Sequence, residues 1–107
     1  MELKLTRWIE VAREADLDET YRAEYDGRSF ALFRLDDGVY ALDDICSHEY
    51  SKLSEGEIWD DEVYCPKHGS RFDIRTGAVR SFPAIKGVRS YPVKIEEGTI
   101  YIDLEGK

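Results

Sequence analysis

The stretch CPKHGS, residues 65–70, places a cysteine and a histidine three positions apart. A second cysteine–histidine pair lies upstream in CSH, residues 46–48. The chain has two cysteines and two histidines in total, so these two segments use the whole supply of both residue types. Thiolates and imidazoles are metal ligands, and four ligands suit a tetrahedral or a binuclear site. The candidate metal ligands are therefore Cys46, His48, Cys65 and His68.

The residues alone leave three interpretations open. The four side chains can be two buried cysteines and two hydrogen-bonded histidines, although the duplicated pairing argues against it. Two thiolates and two imidazoles also suit a structural zinc, but zinc modules usually group cysteines together and histidines together. Here each segment supplies one sulfur and one nitrogen. That arrangement suits a two-iron cluster in which each segment gives its cysteine to one iron and its histidine to the other.

Length and charge restrict the class of protein. A chain of 107 residues predicts a single domain. The formal net charge of -8 disfavours binding to nucleic acid or anionic membranes and favours basic protein partners. No long apolar run predicts a membrane span, and the start, MELKLTRWIEVARE, lacks the features of a signal peptide. We therefore expect a cytoplasmic protein, whose reducing surroundings favour metal binding by the cysteines over a disulfide.

Short strands are the main secondary-structure signal. Turn pairs such as Asp26-Gly27 and Glu97-Gly98 separate the segments RSFALFRL, GVYALD, EVYC, SRFDI, SYPVKI and TIYIDL. This spacing is typical of an all-β sandwich or barrel. In TIYIDL, alternation predicts Ile100, Ile102 and Leu104 on the core face and Asp103 on the opposite face. Only residues 12–17 read as a short helical turn.

The two motifs also divide the chain. Residues 46–83 contain both cysteine–histidine pairs. We expect them to form a small cluster-binding lobe that is inserted into a basal β-sandwich of residues 1–45 and 84–107. The whole chain, residues 1–107, is then one domain.

The segments CSHEYSKLSEGEI and CPKHGSRFDIRTGAVRSFPA resemble the two cluster-binding loops of Rieske-type [2Fe-2S] ferredoxins, the ferredoxin components of bacterial ring-hydroxylating oxygenase systems. The opening WIEVA, the lead-in ALDDICSH and the closing YPVKIEEGTIYIDL are similar too. The resemblance implies a Rieske-type antiparallel β-sandwich with one [2Fe-2S] cluster per chain. It assigns Cys46 and Cys65 to the inner iron and His48 and His68 to the outer iron. SFPA, with Pro83, would be a third loop that covers the cluster.

The same resemblance predicts a low reduction potential within the Rieske range of roughly -150 to +300 mV. High-potential Rieske proteins have two further cysteines that form a bridge, and this chain has Ser51 and Lys67 in their places. They also have a tyrosine whose hydroxyl donates to a cluster cysteine, where this chain has Phe72. Ser70 remains as a candidate donor. Phe72 also has a simpler interpretation as a core residue.

What the chain lacks indicates that it is not itself an enzyme. The predicted cluster takes both histidines, so none is left for the mononuclear iron of an oxygenase or for a nucleophile–histidine pair. The chain also has no nucleotide-binding glycine motif. We expect a monomeric one-electron carrier that passes electrons from a reductase to a terminal oxygenase.

Two alternatives to this function stay open. One is a Rieske electron carrier or small subunit of another reductase or iron-sulfur assembly system. The more distant one is a zinc-stapled interaction module. In the favoured interpretation, both partner proteins dock near His48 and His68, with Glu49, Tyr50, Lys67 and Pro83 as candidate contacts. The segment 43–62 has eight acidic residues against one basic residue, a net charge of -7. We expect it to steer a basic partner to this edge.

Overall fold

The structure is a computed structural model that describes residues 7–45, 52–66, 69–81 and 87–105. These residues form antiparallel strands and two short 3₁₀ helices, which confirms the predicted all-β antiparallel fold. The strands are β1 (Trp8–Arg13), β2 (Thr20–Tyr25), β3 (Arg28–Leu35), β4 (Gly38–Asp43), β5 (Glu57–Trp59), β6 (Glu62–Tyr64), β7 (Arg71–Asp73), β8 (Ser90–Tyr91), β9 (Val93–Glu96) and β10 (Thr99–Asp103). The 3₁₀ helices are Glu14–Asp16, inside the predicted helical turn, and Leu53–Glu55. No helix in these ranges is long and apolar enough to cross a membrane.

The strands form three sheets. The first sheet has the order β1-β10-β9, the second β2-β3-β4-β8 and the third β5-β6-β7. The third sheet lies within the segment 46–83 that we expect to be an inserted lobe. That division of the chain stays a prediction, because the segment includes residues 46–51, 67–68 and 82–83, which lie outside the described residues.

Strand β3 is buried on both faces, which makes the second sheet the middle layer. Phe30 and Leu32 belong to a core that the first sheet completes with Ile9, Ile100 and Ile102. Ala31 and Phe33 point the other way, into a second core. That second core contains Leu42, Leu53, Val63, Cys65, Phe72 and Ile74. This burial on both faces explains the unbroken apolar run FALF, because a strand with one solvent-exposed face has alternating apolar and polar residues.

Two of the predicted turns are tight hairpins with left-handed backbone. Asp26 and Gly27 have φ of 52° and 78°, and Glu97 and Gly98 have φ of 50° and 79°. Two successive residues with positive φ are typical of the type I′ turn, whose twist matches that of the flanking strands. The turn pairs therefore fix the β2–β3 and β9–β10 hairpins.

The core face predicted for β10 is confirmed, because Ile100, Ile102 and Leu104 are buried in the first core. Asp103, predicted on the opposite face, is buried as well. Its Oδ1 accepts hydrogen bonds from the backbone N–H groups of Arg7 (2.8 Å) and Glu105 (3.0 Å). A buried carboxyl group is tolerated when backbone donors replace the lost water, and alternation alone does not predict such burial.

Candidate metal centre

Cys65 directly follows β6 and opens the loop of residues 65–70 that leads to β7. Its backbone N–H donates to the Ser70 carbonyl oxygen (2.7 Å), and Gly69 N–H donates to the Cys65 carbonyl oxygen (2.9 Å). Gly69 has φ of 76°, a conformation that glycine adopts without steric cost. The Cys65 side chain is buried within the second core, with 1% of its surface exposed. The loop is therefore closed at its base with the thiol turned inward.

The other three predicted ligands, Cys46, His48 and His68, lie outside the described residues. Within the ranges 7–45, 52–66, 69–81 and 87–105, no group of three or more His, Cys, Asp or Glu side chains is placed to hold a metal ion. The complete ligand set therefore stays a prediction. Glu49, Tyr50, Ser51, Lys67 and Pro83 also lie outside the described residues.

The segment that carries Cys46 and His48, residues 46–51, starts and ends at one point of the fold. Ile45 and Lys52, its two flanking residues, pair as an isolated antiparallel bridge. Leu53, the next residue, is buried in the same core as Cys65. Gly56 then approaches the Tyr64 carbonyl so closely that a Cβ at Gly56 would collide with it. Because Tyr64 precedes Cys65, both ligand segments are anchored beside one another.

The predicted third loop, residues 81–84, begins at the same place. Ser81 Oγ accepts a hydrogen bond from Arg71 N–H (3.1 Å), and Arg80 N–H donates to the Arg71 carbonyl oxygen (2.7 Å). Arg71 directly follows Ser70, the last residue of the Cys65 loop. The described ends of the three predicted loops thus lie beside strands β6 and β7, whose Val63 and Phe72 belong to the second core. A buried thiol beside these ends fits a cluster held by thiolate and imidazole ligands.

Ser70 and Phe72 follow the Cys65 loop, and both are fully buried. Phe72 lies in β7 opposite Val63 and bridges to Val79 on its other side. It shares the second core with Cys65. The interpretation of Phe72 as a core residue is confirmed. Because Phe72 shares this core with Cys65, a hydroxyl added to its ring is a candidate to change the reduction potential of the cluster.

We expect Phe72→Tyr to raise the midpoint potential by tens of millivolts. A hydroxyl that donates to a cluster sulfur stabilises the reduced, more negative state, and about 59 mV corresponds to a tenfold change for one electron. Protein-film voltammetry measures the shift. If the hydroxyl finds no acceptor, it is buried unpaired at a cost of about 1–3 kcal/mol. The melting temperature then falls without a rise in potential, and the ring does not face the sulfur.

The acidic residues of segment 43–62 do not form one exposed patch. Four of the carboxylates have close partners within the protein: Asp43 with Tyr91 (2.6 Å), the buried Asp44 with Ser54 N–H (2.8 Å), Asp61 with Arg75 (3.0 Å) and Glu62 with Arg71 (3.1 Å). A fifth, Glu55, stays exposed but forms a longer ion pair with Arg22 (3.9 Å). Glu55, Glu57 and Asp60 are exposed. The predicted steering of a basic partner therefore depends on these three and on Glu49.

Asp73 is a further buried carboxylate near the site. It accepts hydrogen bonds from Arg75 N–H (2.8 Å), Thr76 N–H (3.0 Å) and the Arg80 guanidinium (2.6 Å). Burial raises the pKa of Asp73, but the Arg80 side chain and the two backbone donors outweigh burial and hold the pKa below its ordinary value of 3.8. These bonds fix the turn after β7, which leads to the third loop.

We expect Asp73→Asn to flatten the acid limb of the stability curve. A carboxyl whose pKa is lower in the folded than in the unfolded state adds stability above its unfolded pKa, and this stability is lost as the pH falls through the folded pKa. The free energy of unfolding of the natural protein should therefore drop below about pH 5, and that of the variant should drop less. Urea titrations at several pH values measure both slopes. Asp18→Asn changes an exposed residue and is the control; it should leave the pH dependence of the unfolding free energy unchanged. If Asp73→Asn shows the same pH dependence as the natural protein, Asp73 does not stabilise the fold through its carboxylate.

Sequence reasoning missed a tyrosine that connects the base of the first ligand segment to β8. Tyr91 OH donates to Asp43 Oδ1 (2.6 Å) and accepts from the Arg28 guanidinium (2.7 Å). Burial, followed by the bond to Asp43, raises the pKa of Tyr91 to about 12. The partners lie far apart in the chain, so no local pattern in the sequence signals the contact.

Comparisons with known proteins cover nearly the whole chain. A family model described as the Rieske [2Fe-2S] domain matches residues 7–92. The ferredoxin component of the naphthalene 1,2-dioxygenase system of Pseudomonas putida is 34% identical over 100 residues, which are 92% of this chain and 96% of that protein. A chain from the solved complex of reduced oxygenase and oxidized ferredoxin in carbazole 1,9a-dioxygenase is 32% identical, with a TM-score of 0.85 over 94% of this chain and 95% of that chain. A Mycobacterium tuberculosis protein described as the small subunit of an NADH-dependent nitrite reductase is 25% identical, with a TM-score of 0.81 over 94% and 96%.

Proposed function

Because the chain belongs to the Rieske [2Fe-2S] domain family, we propose that it is a ferredoxin that carries single electrons from a reductase to a terminal ring-hydroxylating oxygenase. The observation that carries this proposal is the similarity, over 92% of the chain, to a ferredoxin component of a dioxygenase system. Such components are electron carriers, and the proposed role is likewise not catalytic. A bound Rieske cluster supplies a centre that accepts and releases one electron.

The proposed ligand set is Cys46 and Cys65 for the inner iron and His48 and His68 for the outer iron. Cys65 supports this order, because it is buried in the second core and its loop is closed behind it. The apolar side chains around Cys65 exclude water from the thiolate side of the site. We place this site in a lobe of residues 46–83 on a base of residues 1–45 and 84–107, within a single domain.

The proposed partners dock at the edge of His48 and His68. Exposed Glu55, Glu57 and Asp60 belong to the same segment of the chain and support steering of a basic surface. The net charge of -8 agrees with basic protein partners rather than nucleic acid. We propose that the protein acts as a monomer in the cytoplasm.

Glu49→Lys tests the docking edge. The variant should slow electron transfer to the oxygenase at low ionic strength and much less at high salt, because salt screens the long-range attraction. The measurement is stopped-flow oxidation of the reduced protein by the oxygenase encoded nearest to its gene. Glu97→Lys, in the exposed β9–β10 turn, makes the same charge change on the first sheet and should have little effect. Equal slowing by both variants means that overall charge, and not the histidine edge, sets the rate.

A second candidate function follows from the nitrite reductase small subunit, whose fold and length match this chain closely. In that case the electron acceptor would be the catalytic subunit of another reductase. The same stopped-flow assay separates the two, since each candidate acceptor can be mixed with the reduced protein. Oxidation by the oxygenase supports the ferredoxin role; oxidation by a nitrite reductase subunit alone overturns it.

A further inference from the structure

We propose that Asp44 is a positioning residue that joins the two ends of the chain that flank residues 46–51, namely residues 44–45 and 52–54, and so supports cluster binding by the ligands that the proposed function assigns to that segment. This inference rests on the proposed function, because that function gives the segment its two ligands. Asp44 follows β4 and precedes the segment by two positions. It is a fully buried carboxylate, with 0% of its surface exposed.

Asp44 lies before the segment and bonds to the chain that follows the segment and to β3. Its Oδ1 accepts a hydrogen bond from Ser54 N–H (2.8 Å), and its backbone oxygen accepts one from Leu53 N–H (2.6 Å). Its Oδ2 accepts a bond from the Ser29 hydroxyl (3.2 Å), and its N–H donates to the Ser29 carbonyl oxygen (3.2 Å). One residue therefore ties the far end of the segment to β3. We call these contacts the Asp44 clamp.

The clamp also supplies a missing cap. Ser54 lies in the 3₁₀ helix Leu53–Glu55, and Lys52 at the N-cap position makes no side-chain capping bond. The first N–H groups of a helix have no partner within the helix, so an acceptor must come from elsewhere. The Asp44 carboxylate provides it from across the segment, and bonds from backbone N–H to an ionised acceptor are strong and directional.

The hydrogen bonds of the clamp offset the cost of burying the polar carboxyl group of Asp44. Burying a carboxylate in a core loses its hydration, and the loss is offset only by well-placed donors. Outer residues that orient metal ligands typically change metal affinity by roughly 10–100-fold when they are removed. The neighbouring Asp43 differs, because its carboxylate bonds to Tyr91. Asp43 is therefore a matched control that removes a carboxylate one residue away without touching the clamp.

The test compares Asp44→Ala, Asp44→Asn and Asp43→Asn in the metal-loaded protein. Hydrogen exchange of the peptide that contains Ser54, followed by mass spectrometry, measures the protection of the N–H group that donates to Asp44. Asp44→Ala should speed exchange by roughly tenfold, the equivalent of one lost hydrogen bond. Asp44→Asn keeps an oxygen for Ser54 and should restore most of the protection, and Asp43→Asn should leave it unchanged.

Two further readouts separate positioning from general stability. Asp44→Ala should lose bound iron by roughly tenfold at a fixed chelator concentration, and the iron that remains should give a broadened EPR spectrum per iron. A merely structural role lowers the melting temperature but leaves the spectrum per iron unchanged, and that result overturns the proposal. If Asp44→Ala does not fold, Ser29→Ala removes one bond of the clamp and should show the same changes more weakly. Natural exchange and a natural spectrum in Ser29→Ala then overturn the proposal.

Failure of this inference is distinct from failure of the proposed function. If the protein held zinc or no metal, the natural chain itself would lack the iron spectrum. The exchange of the Ser54 peptide would still respond to Asp44, because the clamp consists of protein atoms alone.

Discussion

Cys65→Ala is expected to abolish assembly of the cluster and to destabilise the fold severely. Cys65 is buried where the bases of the predicted loops meet, so loss of its ligand bond removes both the metal and the connection between the loops. Binding of a structural metal can contribute many kcal/mol to folding, about 10–16 kcal/mol in zinc-finger peptides. Cys46→Ala should behave in the same way. Iron content and melting temperature measure the effect.

Val63→Ala is the matched control for Cys65→Ala. Val63 is fully buried in the same core and is not a metal ligand. Its truncation removes apolar contacts, so the melting temperature should fall, but iron per folded chain should stay at the natural value. A Cys65→Ala protein with full iron and an unchanged melting temperature would show that Cys65 is not a ligand.

Gly77→Ala is expected to cost about 3 kcal/mol of unfolding free energy. Gly77 has φ of 80°, where a side chain costs about 1–2 kcal/mol. A Cβ at this position would also collide with the Val88 carbonyl oxygen, and overpacking typically costs about 1–3 kcal/mol. The collision involves backbone, which cannot move aside as a flexible side chain can. Urea denaturation at neutral pH measures the change.

Gly98→Ala separates the two causes. Gly98 has nearly the same φ, 79°, but a Cβ there would meet no atom within 4 Å. It should therefore cost only the backbone strain of about 1–2 kcal/mol. Equal losses for Gly77→Ala and Gly98→Ala would mean that the turn after β7 shifts easily and that the close approach of Val88 does not hold it.

The strands that sequence predicted best are those with strong turn chemistry or strong alternation. RSFALFRL forms β3 after the Asp26-Gly27 turn, and TIYID forms β10 after the Glu97-Gly98 turn. The segment TYRAEY forms β2, which the pattern of β-forming residues does not predict. Its only buried residue is Ala23, and one small apolar side chain between charged residues gives a weak signal. Strand β5, Glu57–Trp59, is too short to show a period.

The burial of three acids could not be predicted from the sequence. Asp44, Asp73 and Asp103 are each buried and accept bonds from backbone N–H groups. Hydrophobic patterns report apolar burial only, and they carry no information about which backbone donors a carboxylate will meet in the fold. Of the acids in segment 43–62 that the structure describes, Asp44 is the buried one; the steering of a basic partner by this segment stays a prediction.

The ligand types at the site could be predicted, because both cysteines and both histidines fall in two short motifs. The surroundings of Cys65 could not. Cys65 shares its core with Ala31 of β3, Leu53 of the second 3₁₀ helix and Phe72 of β7. These elements are far apart in the chain, so no local pattern shows that they meet.

Whether the chain holds a Rieske cluster is decided by the reduced-state EPR spectrum, recorded with iron and sulfide analysis on the same sample. We expect a reddish-brown protein with two irons and two sulfides per chain. After reduction by dithionite it should bleach and give the signal of one unpaired electron coupled to imidazole nitrogens. A colourless protein that contains zinc and gives no EPR signal under reduction would show that the chain is not a Rieske electron carrier.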